Sequence, residues 1–218
     1  MRTAKTILTV IQERGKQKKP IERVYKLLFN RELYLNAYAK LYPNNGAMTK
    51  GVTDETVDGM SIQKIDRMIE ILREEKYQWK PARREYIKKK NGKKRPLGIP
   101  VWGDKVLQEV MRQILEAYYE PQFSEHSHGF RPNRGCHTAL QEIQVWKGTR
   151  WFIEGDISQY FDTIDHKILL EILARNIHDG RFIRLVSNML EAGYLEEWKF
   201  NQTISGCLLY TSPSPRDK

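Results

Sequence analysis

Residues 151–166, WFIEGDISQYFDTIDH, largely determine how this sequence is interpreted. The first half is apolar and favours a strand, whereas the second half carries acidic residues at positions 156, 162 and 165. We expect a strand over 151–156 that directs Asp156 to the face opposite Trp151 and Ile153, because successive side chains alternate. Asp156 would then leave the end of the strand, where a pocket can form beside a packed sheet.

The residues alone leave the use of Asp156 open. A carboxylate in this position can act as a general acid or base, or it can ligate a hard cation such as Mg²⁺. Magnesium sites usually combine one or two carboxylates with substrate phosphates, which suits a basic protein better than a glycosidase-like pair of acids. A third reading is that Asp156 only caps a turn or a helix. Asp162 and Asp165 are expected to be structural, as N-terminal caps of the helix that follows, rather than metal ligands.

The charge composition favours an anionic partner. Among 218 residues, 37 Lys and Arg stand against 27 Asp and Glu, which gives a formal charge of +10. Such a surplus suits a polyanion, because each neutralised phosphate releases condensed counterions. A globular protein that merely happens to be basic is the alternative, since the 40% hydrophobic content is ordinary for a globular protein and argues against disorder.

The cellular location is predicted to be cytoplasmic, of the bacterial type, with no membrane partner. Cys136 and Cys207 are the only cysteines, too few for a disulfide framework, which fits a reducing compartment. The apolar run ILTVI near the N-terminus is too short for a signal peptide, and no segment approaches the length of a membrane span.

The remaining sequence predicts an α+β fold of many helices and few strands. Apolar residues recur at helical spacing in six segments: Ile21–Tyr42, 61–77, 103–119, 136–147, 166–177 and 180–192. Residues 84–90 and 93–99 flank Asn91-Gly92, a strong signal for a tight hairpin turn. Residues 194–204 indicate a further hairpin.

The first hairpin is unusually basic. Eight cationic side chains lie on or beside it: Arg83, Arg84, Lys88, Lys89, Lys90, Lys93, Lys94 and Arg95. Like charges that face each other across strands are destabilising, so this tip indicates an anionic partner. A solvated tip without a partner is the alternative.

Four long motifs in order give the sequence a family resemblance. EGDISQYFDTIDH resembles the first palm motif of reverse transcriptases, and more narrowly that of the group II intron type. NNGAMTKGVTDETVDGMS resembles the N-terminal extension loop of that family, KKKNGKKRPLGIP its fingers hairpin, and HSHGFRPNRGCHTAL the motif that follows. The resemblance implies a right-hand polymerase with fingers and an incomplete palm, mostly helical with a basic β-hairpin.

The resemblance also implies a division of the chain. Residues 1–20 would form a basic N-terminal segment, 21–100 the extension and fingers, and 101–206 fingers and palm, truncated after the first catalytic motif. Residues 207–218, CLLYTSPSPRDK, match nothing in the family and resemble a translated sequencing adapter, so we expect them to be non-native, and a genuine disordered tail is the alternative.

The implied activity is that of an RNA-directed DNA polymerase of a group II intron, which acts in intron mobility and, as a maturase, in splicing. Asp156 would be the first catalytic carboxylate and would hold Mg²⁺ of a two-metal site with the backbone carbonyl of Ile157. The implied partners are group II intron RNA, an RNA template with a DNA primer, and deoxynucleoside triphosphates.

Further roles carry over from the motifs. The incoming nucleotide would meet six residues: Arg83, Lys89, Arg95, Gln159, Tyr160 and Phe161. Within this set the amides of Gln159 and Tyr160 would meet the triphosphate, and Phe161 would exclude a ribose 2′-hydroxyl. The template would meet four residues: Lys50, Gly51, Arg131 and Arg134. Thr53 stands where the family commonly has Asp, which weakens the roles of Lys50 and Gly51.

Two alternatives remain open. The sequence contains no Tyr- or Phe-Ala-Asp-Asp tetrapeptide, the second acidic motif that such a palm needs, so we expect residues 1–218 to be inactive alone. A non-catalytic RNA-binding splicing cofactor would need no such motif. A reverse transcriptase of another lineage, tied to phage defence or diversity generation, is the other alternative.

Overall fold

The chain forms a helical body with a small mixed sheet. The structure, a computed structural model, describes residues 2–44, 46–88, 92, 94–158, 160 and 163–203. Its helices are α1 Ala4–Lys16, α2 Arg31–Leu41, α3 Ile62–Arg73, α4 Trp102–Tyr119, α5 Cys136–Gln144, α6 His166–Ala174 and α7 Gly180–Leu190. Its strands are β1 Ile21–Glu22, β2 Ala82–Lys88, β3 Lys94–Ile99, β4 Ile177–His178, β5 Tyr194–Glu196 and β6 Lys199–Asn201. The predicted α+β class is confirmed.

Helix α4 lies at the centre of the core, where α1 and α2 pack against it. Val106, Val110 and Ile114, which lie at helical spacing in the predicted helix 103–119, are fully buried. Burial of each such side chain contributes roughly 1.5–3 kcal/mol. Helix α1 crosses α4 closely at Gly15, where an added Cβ would lie 2.1 Å from the carbonyl oxygen of Tyr118.

The single helix predicted over Ile21–Tyr42 is wrong, because the segment contains a sharp break. Arg23 adopts a left-handed conformation (φ 55°) and a 3₁₀ turn, Val24–Phe29, follows it. Asn30 then starts α2 as its N-cap, and its side chain accepts a hydrogen bond from the amide of Glu32 at 2.9 Å. Asn favours this local bond over continued helix, which explains the break.

The beginning of this segment is joined to the far end of the chain. Strand β1 pairs in parallel with β4, with Ile21 opposite Ile177. The amide of Tyr25 donates to Oδ2 of the buried Asp179 at 2.9 Å. The same carboxylate caps α7 by accepting from the amides of Arg181 and Phe182. Asp179 therefore fixes α7 against the 3₁₀ turn.

The larger sheet has the strand order β3-β2-β5-β6. Strands β2 and β3 are antiparallel, with Arg83 opposite Ile99 and Lys88 opposite Lys94, so the predicted basic hairpin is confirmed. Strand β5 joins β2 in parallel and pairs with β6 in a hairpin, as residues 194–204 indicated.

The strand predicted over residues 151–156 is wrong for the described structure. Residues 151–157 form no regular element, and the Trp151 and Ile153 side chains are 88% and 94% exposed. A strand is held by hydrogen bonds to a neighbour, and within the described ranges none of the strands pairs with this segment. Its apolar residues therefore lack the packed sheet that their pattern suits.

Candidate active site and nucleic-acid interface

Arg83 links the basic hairpin of β2 and β3 to the loop 46–60, which contains most of the predicted extension loop and takes that name below. From β2, its Nε and Nη2 atoms donate to the backbone carbonyl of Lys50 at 3.1 and 2.9 Å. Its Nη1 atom forms an ion pair with Glu85. The ammonium of Lys50 lies 2.8 Å from Asp54, a pair of exposed side chains. The structure thus brings together two predicted site residues, one for the nucleotide and one for the template.

Gly51 fits the extension loop against the chain that follows β3. A Cβ added there would lie 2.8 Å from the amide nitrogen of Val101 and 2.9 Å from the carbonyl oxygen of Pro100. Real side chains essentially never approach backbone this closely, so glycine is required by contact rather than by a special φ angle. The predicted template residue Gly51 therefore has a definite packing role.

Lys105 of α4, which the sequence analysis did not single out, also binds this loop. This buried residue of α4 donates from Nζ to the carbonyl oxygens of Thr49 at 3.0 Å and Gly46 at 3.4 Å. Burial, and to a smaller extent the charge of the nearby Arg83, lower the pKa of its ammonium to about 8. A lone lysine beside an apolar stripe suggests a surface position, so the sequence carried no signal for this role.

Asp104, its neighbour, is a buried carboxylate that also escaped the sequence analysis. It accepts from the Tyr77 hydroxyl at 2.6 Å and from the amide of Lys80 at 3.0 Å. Burial raises the pKa of Asp104 to about 6, although both hydrogen bonds act to lower it. The carboxylate thus holds the segment between α3 and β2 against the first turn of α4.

The side chain of Arg131, a predicted template residue, binds other residues of its own loop. Its side chain is 8% exposed and forms a 2.9 Å ion pair with Glu120. Its Nη1 atom donates to the carbonyl oxygens of Ser124 at 2.6 Å and Ser127 at 2.9 Å. Arg134 in turn donates to the carbonyl of Glu125. These contacts give both arginines a structural role, and contact with the template stays a prediction.

Helix α5 holds this loop through Glu142. Nε2 of His128 lies 2.8 Å from Glu142, and its Nδ1 lies 2.8 Å from Oγ1 of Thr138. His126 contacts the other carboxylate oxygen. Hydrogen bonds from His128 and then His126 lower the pKa of Glu142. Phe130 lies between the two ends of this loop, its ring is fully exposed, and its backbone is left-handed (φ 57°). The turn-rich sequence did not predict an exposed aromatic ring at this position.

The segment that carries the predicted catalytic residue Asp156 is open to solvent. Asp156, Ile157 and Tyr160 are exposed, and Asp156 forms no hydrogen bond or ion pair with any described residue. The predicted nucleotide residues Lys89, Gln159 and Phe161 lie outside the described residues, as do residues 207–218.

Two further predictions concern this segment and the hairpin. Asp165 caps α6 by accepting from the amide of Ile168 at 3.0 Å, which confirms the cap expected there. Asp162, expected to act in the same way, is outside the described residues. Arg95 lies in β3 opposite Ile87. The structure shows no hydrogen bond or ion pair between the described parts of the hairpin and Asp156.

Comparison with known proteins defines the class. The family model described as reverse transcriptase (RNA-dependent DNA polymerase) matches residues 87–210, more than half of the chain. The chain therefore belongs to the reverse transcriptase family. Within that family it is similar to proteins encoded by group II introns, which confirms the resemblance found in the motifs.

Three relatives illustrate the similarity. The chain is 50% identical over 186 residues to the group II intron-encoded protein LtrA of Lactococcus lactis, covering 84% of this chain and 31% of the relative. It is 45% identical over 211 residues to an uncharacterized 91 kDa protein in a cob intron of Schizosaccharomyces pombe, covering 93% and 26%. It is 36% identical over 93 residues to the mitochondrial nuclear intron maturase 1 of Arabidopsis thaliana, covering 42% and 13%.

The chain thus spans about a third or less of the length of these relatives. Among the helices that the structure describes, none combines the length and the apolar character that crossing a membrane requires.

Proposed function

We propose that this chain is the fingers and the first part of the palm of an RNA-directed DNA polymerase encoded by a group II intron. The parent protein copies RNA into DNA during intron mobility and assists splicing as a maturase. One observation carries the proposal: a single match to the reverse transcriptase family, residues 87–210, spans both the tip of the basic hairpin and Asp156. The 50% identity to a group II intron-encoded protein supports the intron type.

The residues around Asp156 suit magnesium. The exposed carboxylate of Asp156, which contacts no partner among the residues that the structure describes, and the adjacent carbonyl of Ile157 are hard oxygen donors, which Mg²⁺ prefers. Asp156 and Ile157 would hold the ion, and the bound metal would supply Lewis-acid activation of the primer 3′-hydroxyl and stabilise the transferred phosphoryl group. One carboxylate leaves room for further ligands from the substrate phosphates and from the rest of the parent protein.

The partners follow from this role. The proposed ligands are group II intron RNA, an RNA template with a DNA primer, and deoxynucleoside triphosphates. Arg83, Lys89 and Arg95 would bind the triphosphate from the fingers, and Phe161 would exclude ribonucleotides. The extension loop would follow the template through Lys50, whose ammonium is exposed. We also propose a bacterial-type cytoplasmic location, which the two cysteines and the relative from Lactococcus lactis support.

The test is primer extension on an RNA template by the full-length protein that contains this segment, with Mg²⁺ and deoxynucleotides. Asp156→Asn should reduce the rate by about a hundredfold or more, since an electrostatic contact to the reacting group is lost. Asp165→Asn is the matched control, because Asn caps a helix nearly as well as Asp. Equal rates for Asp156→Asn and the unchanged protein would reject the proposal.

A second variant tests the choice of nucleotide. Phe161→Ala should admit ribonucleotides while it keeps deoxynucleotide incorporation, because the ring that excludes the 2′-hydroxyl is removed. Residues 1–218 alone should not extend the primer, since the second acidic motif is missing from this sequence.

A further inference from the structure

One face of the four-stranded sheet combines aromatic and basic side chains. Alternate residues of a strand share a face, and so do residues paired across strands. The registers between β3, β2, β5 and β6 therefore place seven charged or aromatic side chains together: Arg84, Tyr86, Lys88, Lys94, Tyr194, Glu196 and Lys199. We call this set the aromatic-basic face.

Three contacts confirm that these side chains lie on one side of the sheet. The Arg84 guanidinium carbon lies 3.9 Å from the ring centroid of Tyr194. The Lys94 ammonium lies 5.9 Å from the ring centroid of Tyr86. The Tyr86 hydroxyl also donates to Glu196, the neighbour of Lys199 across the β5–β6 hairpin. The rings and the cations thus form one continuous surface across four strands.

Two residues of the opposite face make other contacts. They are Leu97, which is buried, and Arg83, which binds the extension loop through Lys50. The aromatic-basic face is therefore directed away from the extension loop and is distinct from the proposed template and nucleotide contacts.

The charge on the aromatic-basic face is unbalanced. Among its described residues, the four cations Arg84, Lys88, Lys94 and Lys199 stand against one carboxylate, Glu196. Lys88 is directly opposite Lys94, and like charges in this position are destabilising. An anionic ligand that bridges the two ammonium groups would relieve that repulsion, so the arrangement is complementary to a chain of phosphates.

The rings specify which polyanion fits. The Tyr86 side chain is 47% exposed, so its ring is accessible to a ligand between the charged side chains. Tyr194 pairs with Ala82 on the neighbouring strand, and Tyr86 lies four residues beyond Ala82. The strand spacing and the rise per residue therefore place the Cα atoms of Tyr86 and Tyr194 about 14 Å apart. Exposed rings at intervals along a basic groove or sheet are typical platforms for unpaired bases, which stack on aromatic side chains and on guanidinium planes. A duplex would hide its bases and could not use them.

We propose that the aromatic-basic face binds single-stranded RNA. The lysines contact phosphates, one base stacks on Tyr86, and another stacks beside the Arg84–Tyr194 pair. One carboxylate oxygen of Glu196 accepts a hydrogen bond from the Tyr86 hydroxyl. The other oxygen accepts a hydrogen bond from a ribose 2′-hydroxyl, a group that DNA lacks. This site needs neither Asp156 nor the triphosphate contacts, so it goes beyond the proposed polymerase function.

The experiment measures the fluorescence anisotropy of a labelled single-stranded RNA of about 12 nucleotides, within the usual site size of such platforms, with the 218-residue chain. Tyr86→Ala should weaken binding about 5- to 100-fold, the value of one stacked base. Lys199→Gln should lower the slope of log affinity against log salt by about 0.7, since one phosphate contact is lost. Tyr86→Phe should retain most of the binding, because it keeps the ring.

Tyr42→Ala is the matched control, since Tyr42 is 56% exposed and lies outside the sheet, and its affinity should not change. Circular dichroism of each variant checks that the fold is retained. Unchanged affinity for both Tyr86→Ala and Lys199→Gln would overturn the proposal, and so would equal affinity for DNA of the same sequence.

The two proposals fail separately. In the full-length protein, Tyr86→Ala should leave extension of a short primer–template unchanged, because that reaction depends on Asp156. Loss of RNA binding in Tyr86→Ala, together with no extension by the unchanged protein, would support this inference and reject the polymerase.

Discussion

The guanidinium of Arg83 donates two hydrogen bonds, at 3.1 and 2.9 Å, to the carbonyl oxygen of Lys50, which precedes it by 33 positions. These bonds couple strand β2 to the extension loop. Lys105 holds the same loop from α4, and Gly51 allows it to approach Pro100 and Val101. The proposed nucleotide contact and the proposed template contact are therefore parts of one connected unit.

Arg83→Ala should destabilise the protein by about 1–2 kcal/mol, because two charge-assisted hydrogen bonds at a partly exposed site are lost. Arg83→Lys should recover only part of this, since one ammonium cannot reproduce the planar fork. The measurement is the urea midpoint of unfolding. Lys50→Ala is the control: it removes the side chain but keeps the carbonyl, so a loss as large as that of Arg83→Ala would contradict the assignment.

Gly51→Ala should destabilise the protein by about 1–3 kcal/mol, because the new methyl group meets backbone atoms that cannot rotate away. Thermal unfolding measures the change. Gly59→Ala is the matched control, since its nearest neighbour is the flexible Lys64 ammonium at 3.6 Å. Similar unfolding temperatures for the two variants would show that Gly51 is not packed as described.

Asp104 should make stability depend on pH between about 4 and 6. Its pKa in the folded protein is raised by burial to about 6, from 3.8, so the folded state holds more protons in this window. Stability is therefore fully present below pH 4 and falls as the pH rises towards 6, by up to about 3 kcal/mol. Asp104→Asn should remove this fall, because the amide does not titrate.

Urea unfolding at several pH values, with Asp104→Asn compared with the unchanged protein, isolates the effect from other carboxylates. Asp54→Asn is the control: the hydrogen bond from Lys50 lowers the pKa of Asp54 below its usual 3.8, so this residue titrates below the window and the variant should keep a constant difference from the unchanged protein between pH 4 and 6. If the difference between Asp104→Asn and the unchanged protein stays constant across the window, the prediction is wrong.

Glu142→Ala should expose the loop before α5 to protease, because both His126 and His128 lose their partner on that helix. Trypsin cleavage after Arg134 should become several-fold faster, since local opening limits the attack. Glu125→Ala is the control: the backbone carbonyl of Glu125, not its side chain, accepts from Arg134. Equal cleavage of the two variants would mean that α5 does not hold the loop.

Local signals in the sequence predicted much of the fold. The dipeptide Asn91-Gly92 and its flanking residues predicted the pairing of β2 with β3, and the apolar spacing of Val106, Val110 and Ile114 predicted the buried face of α4. Both depend on contacts between near neighbours or on a strong periodic pattern. The family motifs added the class of protein, which spacing alone left open.

The failures have physical reasons. The apolar stripe runs on through Asn30, so it could not show that this side chain caps a new helix. Residues 151–156 have the composition of a strand, but pairing with a neighbour, not composition, makes one. Arg131 had the charge of a template contact, whereas its acceptors are mostly carbonyl oxygens, which a sequence does not display. Lys105 was missed for the same reason.

The pairing of β1 with β4, reinforced by the bond from Tyr25 to Asp179, has a consequence for how the chain reaches its native state. These contacts join residues 154 to 156 positions apart, so they close a very long loop. Contacts of such high sequence separation slow folding, because the entropy of closure is lost before they form. During synthesis the N-terminal helices must therefore wait for residue 179 to leave the ribosome before this part of the core can close.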